Sequence, residues 1–392
     1  MVSSEPGTPQ RIGEINRRLI LEYIRKHGPI SRAELHRSLK MSTPSVSANV
    51  KIMLESGHIL EAGEDSNSRG RKATLLRFNA KRAYVIGVDV GRSQIRVILA
   101  DLNGDEIAYL QDDAIALDND EDHFVSGLVD LMLRATACGN IEPEIVCCIS
   151  IGLPGVPDME SGTLNAAPFI HAPNLWEVRR AVQSGFPNAQ IQFENSVNYG
   201  AVGEKWKGIA GQYRNIVYFD YGVGIGAALI INGELFRGAN GAAGEVAYMV
   251  PEVAHFREAF EAQGVLESLI SGKRVGEILK ARERGLNQYD RLTAEDVLSD
   301  RAIRKIVDYM GAVLINITAV FNEELVVLGG RFGEFLGARF IPVWKKMLAQ
   351  HVPYVPEIRV SALSGRADVT GAVAVAVRCA NDRIIPARDD VE

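Results

Sequence analysis

One pattern occurs twice in this chain and restricts its fold more than any other. Tyr84 to Val88 is a buried-type strand running into Asp89-Val90-Gly91-Arg92-Ser93, followed by a strand from Gln94 to Ala100, a turn at Asn103-Gly104 and a strand from Asp105 to Leu110. The same order returns from Asn215 to Phe219, through Asp220-Tyr221-Gly222-Val223-Gly224-Ile225-Gly226, to a strand ending at Ile231, a turn at Asn232-Gly233 and a strand from Glu234 to Arg237. Asn-Gly tolerates the backbone that a tight hairpin needs, so both copies read as strand, glycine turn and hairpin. A duplicated unit of this kind implies two similar lobes facing a cleft. Between the copies, Ile145 to Ile151 reads as a buried strand and Val197 to Lys207 as a helix, which makes each lobe a mixed α/β layer. Glycines at such turns can aim main-chain amides at phosphate oxygens, and they equally serve tight turns and close packing.

The first 82 residues are of another kind. They hold 15 Lys and Arg against 8 Asp and Glu, a net of +7; with −6 on the whole chain, the rest carries −13. A basic segment on an acidic body is suited to meet a polyanion at one end only. Ile15, Leu19, Ile20, Tyr23 and Ile24 recur at helical spacing before Gly28-Pro29. Ser31-Arg32-Ala33-Glu34 is a capping box opening a second short helix with Leu35 and Leu39 inward. Thr43 is expected to cap a third helix, with Pro44 at its first position and Val46, Val50, Met53 and Leu54 as its buried stripe. That leaves Thr43, Ser45, Ser47, Ala48, Asn49 and Lys51 on exposed or flanking positions, a set of short polar groups, one methyl and one cation that suits a major groove. His58 to Glu61 and Thr74 to Phe78 read as strands flanking a tip that ends in Arg69-Gly70-Arg71-Lys72, a wing whose cations reach phosphates or a narrow minor groove. Residues 1–82 are therefore expected to be a winged helix-turn-helix that binds double-stranded DNA; the alternative is a three-helix protein-interaction module with a solvated basic loop.

Composition excludes several other classes. With 47% hydrophobic and 23% charged residues the chain is globular rather than disordered or fibrous. The first residues lack an apolar signal core and no run of eighteen apolar residues occurs, so a cytoplasmic protein without membrane contact is expected. Cys138, Cys147, Cys148 and Cys379 are too few and scattered for a disulfide framework. Arg301 to Phe321 is amphipathic, core or dimer surface, and Val369 to Val377 suits a helix packed closely on a sheet.

Taken together the residues resemble the ROK family of repressors, open reading frames and kinases, and within it the sugar-responsive regulators that carry an N-terminal winged helix-turn-helix. The resemblance rests on Asp89 to Ser93, Gly152-Leu153-Pro154-Gly155, Ala172-Pro173-Asn174-Leu175, Glu194-Asn195, Gly222 to Gly226, Arg237 to Glu245 and Leu328-Gly329-Gly330. It implies an α/β actin-like, ribonuclease-H-like duplicated two-lobed body over residues 83–392, a sugar between the lobes, and a homodimer or homotetramer. It also implies sugar contacts at Asn195, Glu245 and Glu267, with Asn174 on the facing loop and Tyr248 where the family has His. Asp89, Gly91, Gly222 and Gly224 stand where the family's nucleotide loops lie.

Three departures from the family pattern shape the functional expectation. Family kinases follow the Asn with an Asp that serves as general base; here the pair is Asn195-Ser196, so the resemblance implies a body without phosphoryl transfer. The second phosphate loop opens Asp220-Tyr221-Gly222, where a carboxylate and a ring are expected to repel or block a triphosphate. The family's zinc site uses a His and three Cys, whereas this segment has Tyr248, His255 and no thiolate, so no metal and no cofactor are expected. Phe256 and Phe260 are read as core of that loop, and Glu245 and Glu267 have ordinary salt bridges as their alternative role. The combined reading is a transcriptional regulator of carbohydrate genes, a repressor, held by a sugar in a degenerate kinase-like cleft; an active sugar kinase and a ligand-independent DNA binder are the rivals.

Overall fold

The computed structural model describes residues 9–64, 73–91, 94–113, 121–166, 173–254, 264–271 and 301–383. Arg69, Arg71, Lys72, Arg92, Ser93, Ala172, His255, Phe256, Phe260 and the acidic C-terminal tail lie outside these residues.

The head consists of α1 (Pro9–His27), β1 (Ile30–Ser31), α2 (Arg32–Leu39), α3 (Thr43–Glu55), β2 (Ile59–Glu64) and β3 (Thr74–Phe78), its strands ordered β1-β3-β2 and antiparallel. The capping box forms: the Glu34 amide donates to Ser31 Oγ at 3.3 Å and the Ser31 amide to Glu34 Oε2 at 3.0 Å, and these bonds hold the Glu34 carboxyl below its ordinary range. At α3 the cap differs from the expected one. Lys40 turns the chain through φ 53°, which leaves Ser42 in extended backbone, and Ser42 rather than Thr43 accepts from the Ser45 amide; Thr43 and Pro44 are the first two helical residues. α1 is also rotated relative to its apolar spacing, with Ile20, Leu21 and Ile24 buried and Ile15 and Leu19 exposed.

The duplication is realised strand for strand. The first lobe comprises β4 (Tyr84–Val90), β5 (Ile95–Asp101), β6 (Glu106–Asp112), α4 (Glu121–Gly139), β7 (Val146–Leu153), the short hairpin β8 (Val156–Asp158) and β9 (Thr163–Asn165), α5 (Leu175–Gly185) and β10 (Gln190–Asn195). Helix α6 (Ser196–Trp206) leads to the second lobe, built from β11 (Ile216–Tyr221), β12 (Ile225–Ile231), β13 (Glu234–Phe236), α7 (Val265–Ile270), α8 (Arg301–Phe321), β14 (Leu325–Gly329), α9 (Gly330–His351) and β15 (Glu357–Val360); α10 (Ala367–Arg383) ends the fold. The sheets run β10-β7-β4-β5-β6 and β13-β12-β11-β14-β15, which is one topology repeated: a central strand with an antiparallel hairpin on one side and two parallel strands on the other. At the second hairpin both Asn232 and Gly233 have positive φ, 56° and 90°, the geometry for which Asn-Gly is suited. No described helix is long and apolar enough to cross a membrane.

The two lobes are joined by exchanged helices. α6 leaves the last strand of the first lobe and packs on β11 and β12 of the second, while α10 leaves the second lobe and packs on β4, β5 and β7 of the first. Where they cross, glycines remove the side chains. A Cβ on Gly371 would overlap the Tyr199 carbonyl oxygen, one on Gly203 the Ala367 carbonyl oxygen, and one on Gly200 the Asp368 carboxylate and Tyr218 ring. The outer face of α10 and the first-lobe sheet then continue into the head: Ile20, Ile24, Leu35, Val50 and Leu76 form one buried apolar cluster with Val85, Ala100, Val369, Val373 and Val377.

Close packing of this kind does not tolerate added methyl groups. Gly371→Ala and Gly203→Ala are each expected to cost at least ~2 kcal/mol, or to prevent folding, whereas Gly211→Ala, whose new Cβ would have no neighbour nearer than 3.7 Å, is expected to leave the melting temperature unchanged within error. Thermal denaturation of the three variants checks this, and equal melting temperatures would show that the crossing is not tight.

Candidate functional site

A cavity of about 900 Å³ opens between the lobes. Its walls are set by strand ends and by turns that the strands cannot continue. β10 ends at Asn195, which caps α6 by accepting from the Val197 amide at 2.8 Å, and its Nδ2 donates to Glu245 Oε1 at 3.4 Å. Gly244, at φ 93°, passes so close to the Ala227 carbonyl that any side chain would collide with it. Gly264, at φ 72°, is pressed likewise against the Ala247 carbonyl. These two contacts bring Glu245 and Glu267 to the same wall of the cavity. Desolvation by burial, with the neighbouring Glu267 charge, raises the Glu245 pKa to about 7.

Asn195, Ser196, Glu245, Tyr248 and Glu267 all line the cavity, so five residues scattered over the chain converge there. Asn174 does not join them. It caps α5, its side chain accepting from the Trp176 amide at 3.0 Å while its own amide donates to Glu121. Across the mouth, Glu194 on the first lobe and Arg237 on the second form an ion pair of 2.6 Å, a link between the lobes beside the cavity.

The floor of the cavity is acidic. Asp89, Gly91, Gly222 and Gly224 line it, together with Asp220 and Asp368. Burial raises the Asp89 pKa, opposed by Arg96, whose Nη1 lies 2.8 Å from Asp89 Oδ2, and by the neighbouring Ser196 hydroxyl. Asp368 is raised well above the carboxylate range by burial and by the Asp220 and Asp89 charges, and its Oδ1 is enclosed without a hydrogen-bond partner among the described residues. The expected steric block by Tyr221 is not present. β11 runs on through Asp220 and Tyr221, so the Tyr221 ring turns into the second-lobe core, 1% exposed, and its hydroxyl donates to the Ile270 carbonyl. Asp220 remains at the cavity and Tyr221 does not. Arg96 and Asp368 were outside the sequence-based set because neither sits in a recognisable local motif; Asp368 arrives from the first turn of the last helix. Of the positions expected to replace the family's zinc ligands, Tyr248 lines the cavity and His255 lies outside the described residues.

The head presents a second candidate surface. Thr43, Ser47, Ala48 and Lys51 are exposed on α3, and Ser45 is half-buried. Asn49 is not on that face: it is 7% exposed, and its Nδ2 donates to the Ser45 carbonyl at 2.8 Å, so it braces the helix from within. Lys51 lies 3.6 Å from Glu55 in an exposed pair worth little energy. Arg37 in the last turn of α2 and Lys40 at its C-terminal cap are further exposed cations of the head.

Residues 85–378 match the ROK family, and residues 14–59 match a winged helix-turn-helix DNA-binding family. The chain belongs to the ROK family. It is 28% identical over 392 residues to a xylose repressor from Caldicellulosiruptor bescii, covering 95% of this chain and 97% of that one. Its fold matches a ROK family transcriptional regulator described as a homologue of the E. coli MLC protein, at TM-score 0.74 and 20% identity over 95% and 98% of the two chains. The two-lobed body alone matches a ROK family glucokinase from Streptomyces griseus in complex with glucose and AMPPNP, at TM-score 0.60 and 20% identity over 76% of this chain and 100% of that one. The body is thus the actin-like fold of ROK proteins, with a winged head added at its N-terminus.

The raised pKa of Glu245 has a definite sign. A carboxyl whose folded pKa lies above its unfolded value near 4.3 favours folding fully below that value, and the contribution is lost as pH rises through about 7. Glu245→Gln is therefore expected to match the wild type near pH 4 and to exceed it in stability at pH 8, by at most ~4 kcal/mol. Denaturant unfolding at the two pH values checks this; equal differences at both would show that Glu245 titrates normally.

Proposed function

We propose that this ROK protein is a DNA-binding repressor of carbohydrate-metabolism genes, with an operator-binding head and a sugar-sensing cleft. The observation that carries the reading is the course of α10. Its second residue, Asp368, lines the cleft, and near its other end Asp382 accepts from Arg18 on α1 of the head. A ligand that closes the lobes moves the element against which the head is packed.

The cleft chemistry supports a polyol as effector. Asn195 offers an amide donor, and Glu245, titrating near neutral pH, can accept from or donate to a hydroxyl. Two carboxyls and an amide in a fixed arrangement discriminate by the hydroxyls they satisfy. Xylose is the first sugar to test, because the relative of matching length is a xylose repressor. Thr43, Ser45, Ser47, Ala48 and Lys51 are the residues of α3 assigned to the operator, with Arg69, Arg71 and Lys72 as wing contacts; Asn49 is assigned to holding the helix. A homodimer or homotetramer reading a palindromic site follows from the usual symmetry of such heads.

Phosphoryl transfer is not part of this function. Ser196 stands where the resemblance places the general base, and its acidic neighbour Asp89 is held by Arg96. Asp89, Asp220 and Asp368 also crowd the floor with negative charge that a triphosphate would have to meet.

Fluorescence anisotropy of labelled fragments from upstream of the chain's own gene tests the reading. Sequence-preferring, salt-dependent binding is expected, with affinity altered by millimolar xylose. Lys51→Ala is expected to weaken binding to all fragments alike and to lower the salt slope by about 1. Binding without sequence preference would sink the operator assignment. A xylose-insensitive affinity, together with an unmoved melting temperature across a panel of pentoses, hexoses and amino sugars, would sink the sensor assignment. Sugar-dependent ATP turnover that disappears in Glu245→Gln would restore the kinase reading.

A further inference from the structure

A second cavity, of about 620 Å³, lies outside the cleft at the junction of head and body. Its walls come from α1, the end of β3, α6 and α10, so both parts of the molecule contribute. Leu21, Phe78, Val202, Trp206, Val375 and Val377 make most of the surface apolar. The Trp206 ring is fixed in place: its edge fills the space that Gly104 leaves by lacking a Cβ, and Lys207 Nζ lies 4.3 Å from its centroid. A rigid aromatic wall of this kind is a stacking surface prepared in advance.

The charges around the cavity do not balance locally. Glu22 and Asp382 are both engaged by Arg18, and Lys205 is satisfied by the Gly211 and Tyr213 carbonyls. Arg25 and Arg378 remain; neither forms a direct ion pair among the described residues, although the Asp101 and Glu22 charges lie near enough to act on Arg25. The Arg25 guanidinium is half-buried, stacked 5.7 Å from the Phe78 ring centre, and burial lowers its pKa. A partly desolvated cation with an aromatic face and no direct ion pair, beside the second cation Arg378, favours an anion carried on an apolar body. The volume is in the range of a drug-sized ligand, and the apolar lining disfavours a polyol.

We infer that this junction is a binding site for a small aromatic carboxylate or sulfonate, with Arg25 and Arg378 holding the anionic group and the ring seated between Trp206 and Phe78. Its occupant touches α1 of the head and α6 and α10 of the body together. It therefore bears on head placement from a site separate from the cleft, and the site stands whether or not the cleft binds sugar.

The probes are 8-anilinonaphthalene-1-sulfonate, read by its fluorescence on the full-length protein, and 2-naphthoate as competitor. Saturable binding of one probe per chain is expected, displaced by 2-naphthoate but not by xylose, and not by the uncharged 2-naphthalenemethanol. Arg25→Gln and Arg378→Gln are each expected to weaken it roughly 10-fold, the loss of one charged hydrogen bond. Val202→Trp, which fills the cavity without touching its charges, is expected to abolish it, and a folded variant is verified by its circular dichroism. Equal displacement by the uncharged alcohol, non-saturating fluorescence, or unchanged affinity in the folded Arg25→Gln and Val202→Trp variants would overturn the assignment.

Discussion

The crossing of α6 and α10 is the contact on which the rest of the molecule depends. Each helix grows out of one lobe and packs on the other, and each begins at the cleft: α6 behind its cap Asn195, α10 with Asp368 in its first turn. Gly200, Gly203 and Gly371 let the two backbones meet without intervening side chains. Interiors packed to this density do not deform gradually, so the lobes can move only as bodies about the crossing. The same contact thus places Asp368 at the cavity's floor and the outer face of α10 against the head.

Electrostatics divide the cleft into two ends. Around Asn195, Glu245 and Glu267, carboxyls stand near an amide donor and can exchange hydrogen bonds with hydroxyls, and burial keeps Glu245 close to half-protonated at neutral pH. Around Asp89, Asp220 and Asp368, Arg96 offsets the charges of Asp89 and Asp368, while burial and the Asp220 and Asp89 charges raise the Asp368 pKa well above its ordinary value. A neutral polyol costs nothing against such a floor, while a nucleotide triphosphate brings further negative charge. The fold is shared with ROK kinases.

Much of this was legible in the sequence wherever local chemistry decides. The Ser31 and Glu34 capping box, the Asn232-Gly233 hairpin and the duplicated strand order are each specified within a few residues, and each formed as expected. The misreadings arose where the backbone course of a neighbouring turn, helix or strand, or an element returning from elsewhere in the chain, decides. Thr43 looked like a cap because it precedes Pro44, but the left-handed Lys40 shifts the extended residue back to Ser42. Asn49 looked like a reading residue by composition, yet its amide is spent on the Ser45 carbonyl. Tyr221 follows an acidic residue in a glycine-rich stretch and reads as loop, whereas β11 continues through it and turns the ring into the core. Asp368 had no motif at all, since its place at the cleft comes from a helix returning from the other lobe.

Coupling between cleft and head has to be carried by apolar packing rather than by the ion pair that marks the route. Arg18 and Asp382 are both about half exposed, and exposed pairs contribute on the order of 0.2–1 kcal/mol. Moving a two-state equilibrium from one extreme to the other takes about 5.5 kcal/mol of differential affinity. The continuous cluster joining Ile20 and Ile24 to Val373 and Val377 is of the right size, since each fully buried aliphatic side chain is worth roughly 1.5–3 kcal/mol. A small shift of α10 that opens part of that cluster costs as much as several surface ion pairs. The head is therefore held chiefly by that apolar surface, with Arg18 and Asp382 a minor addition.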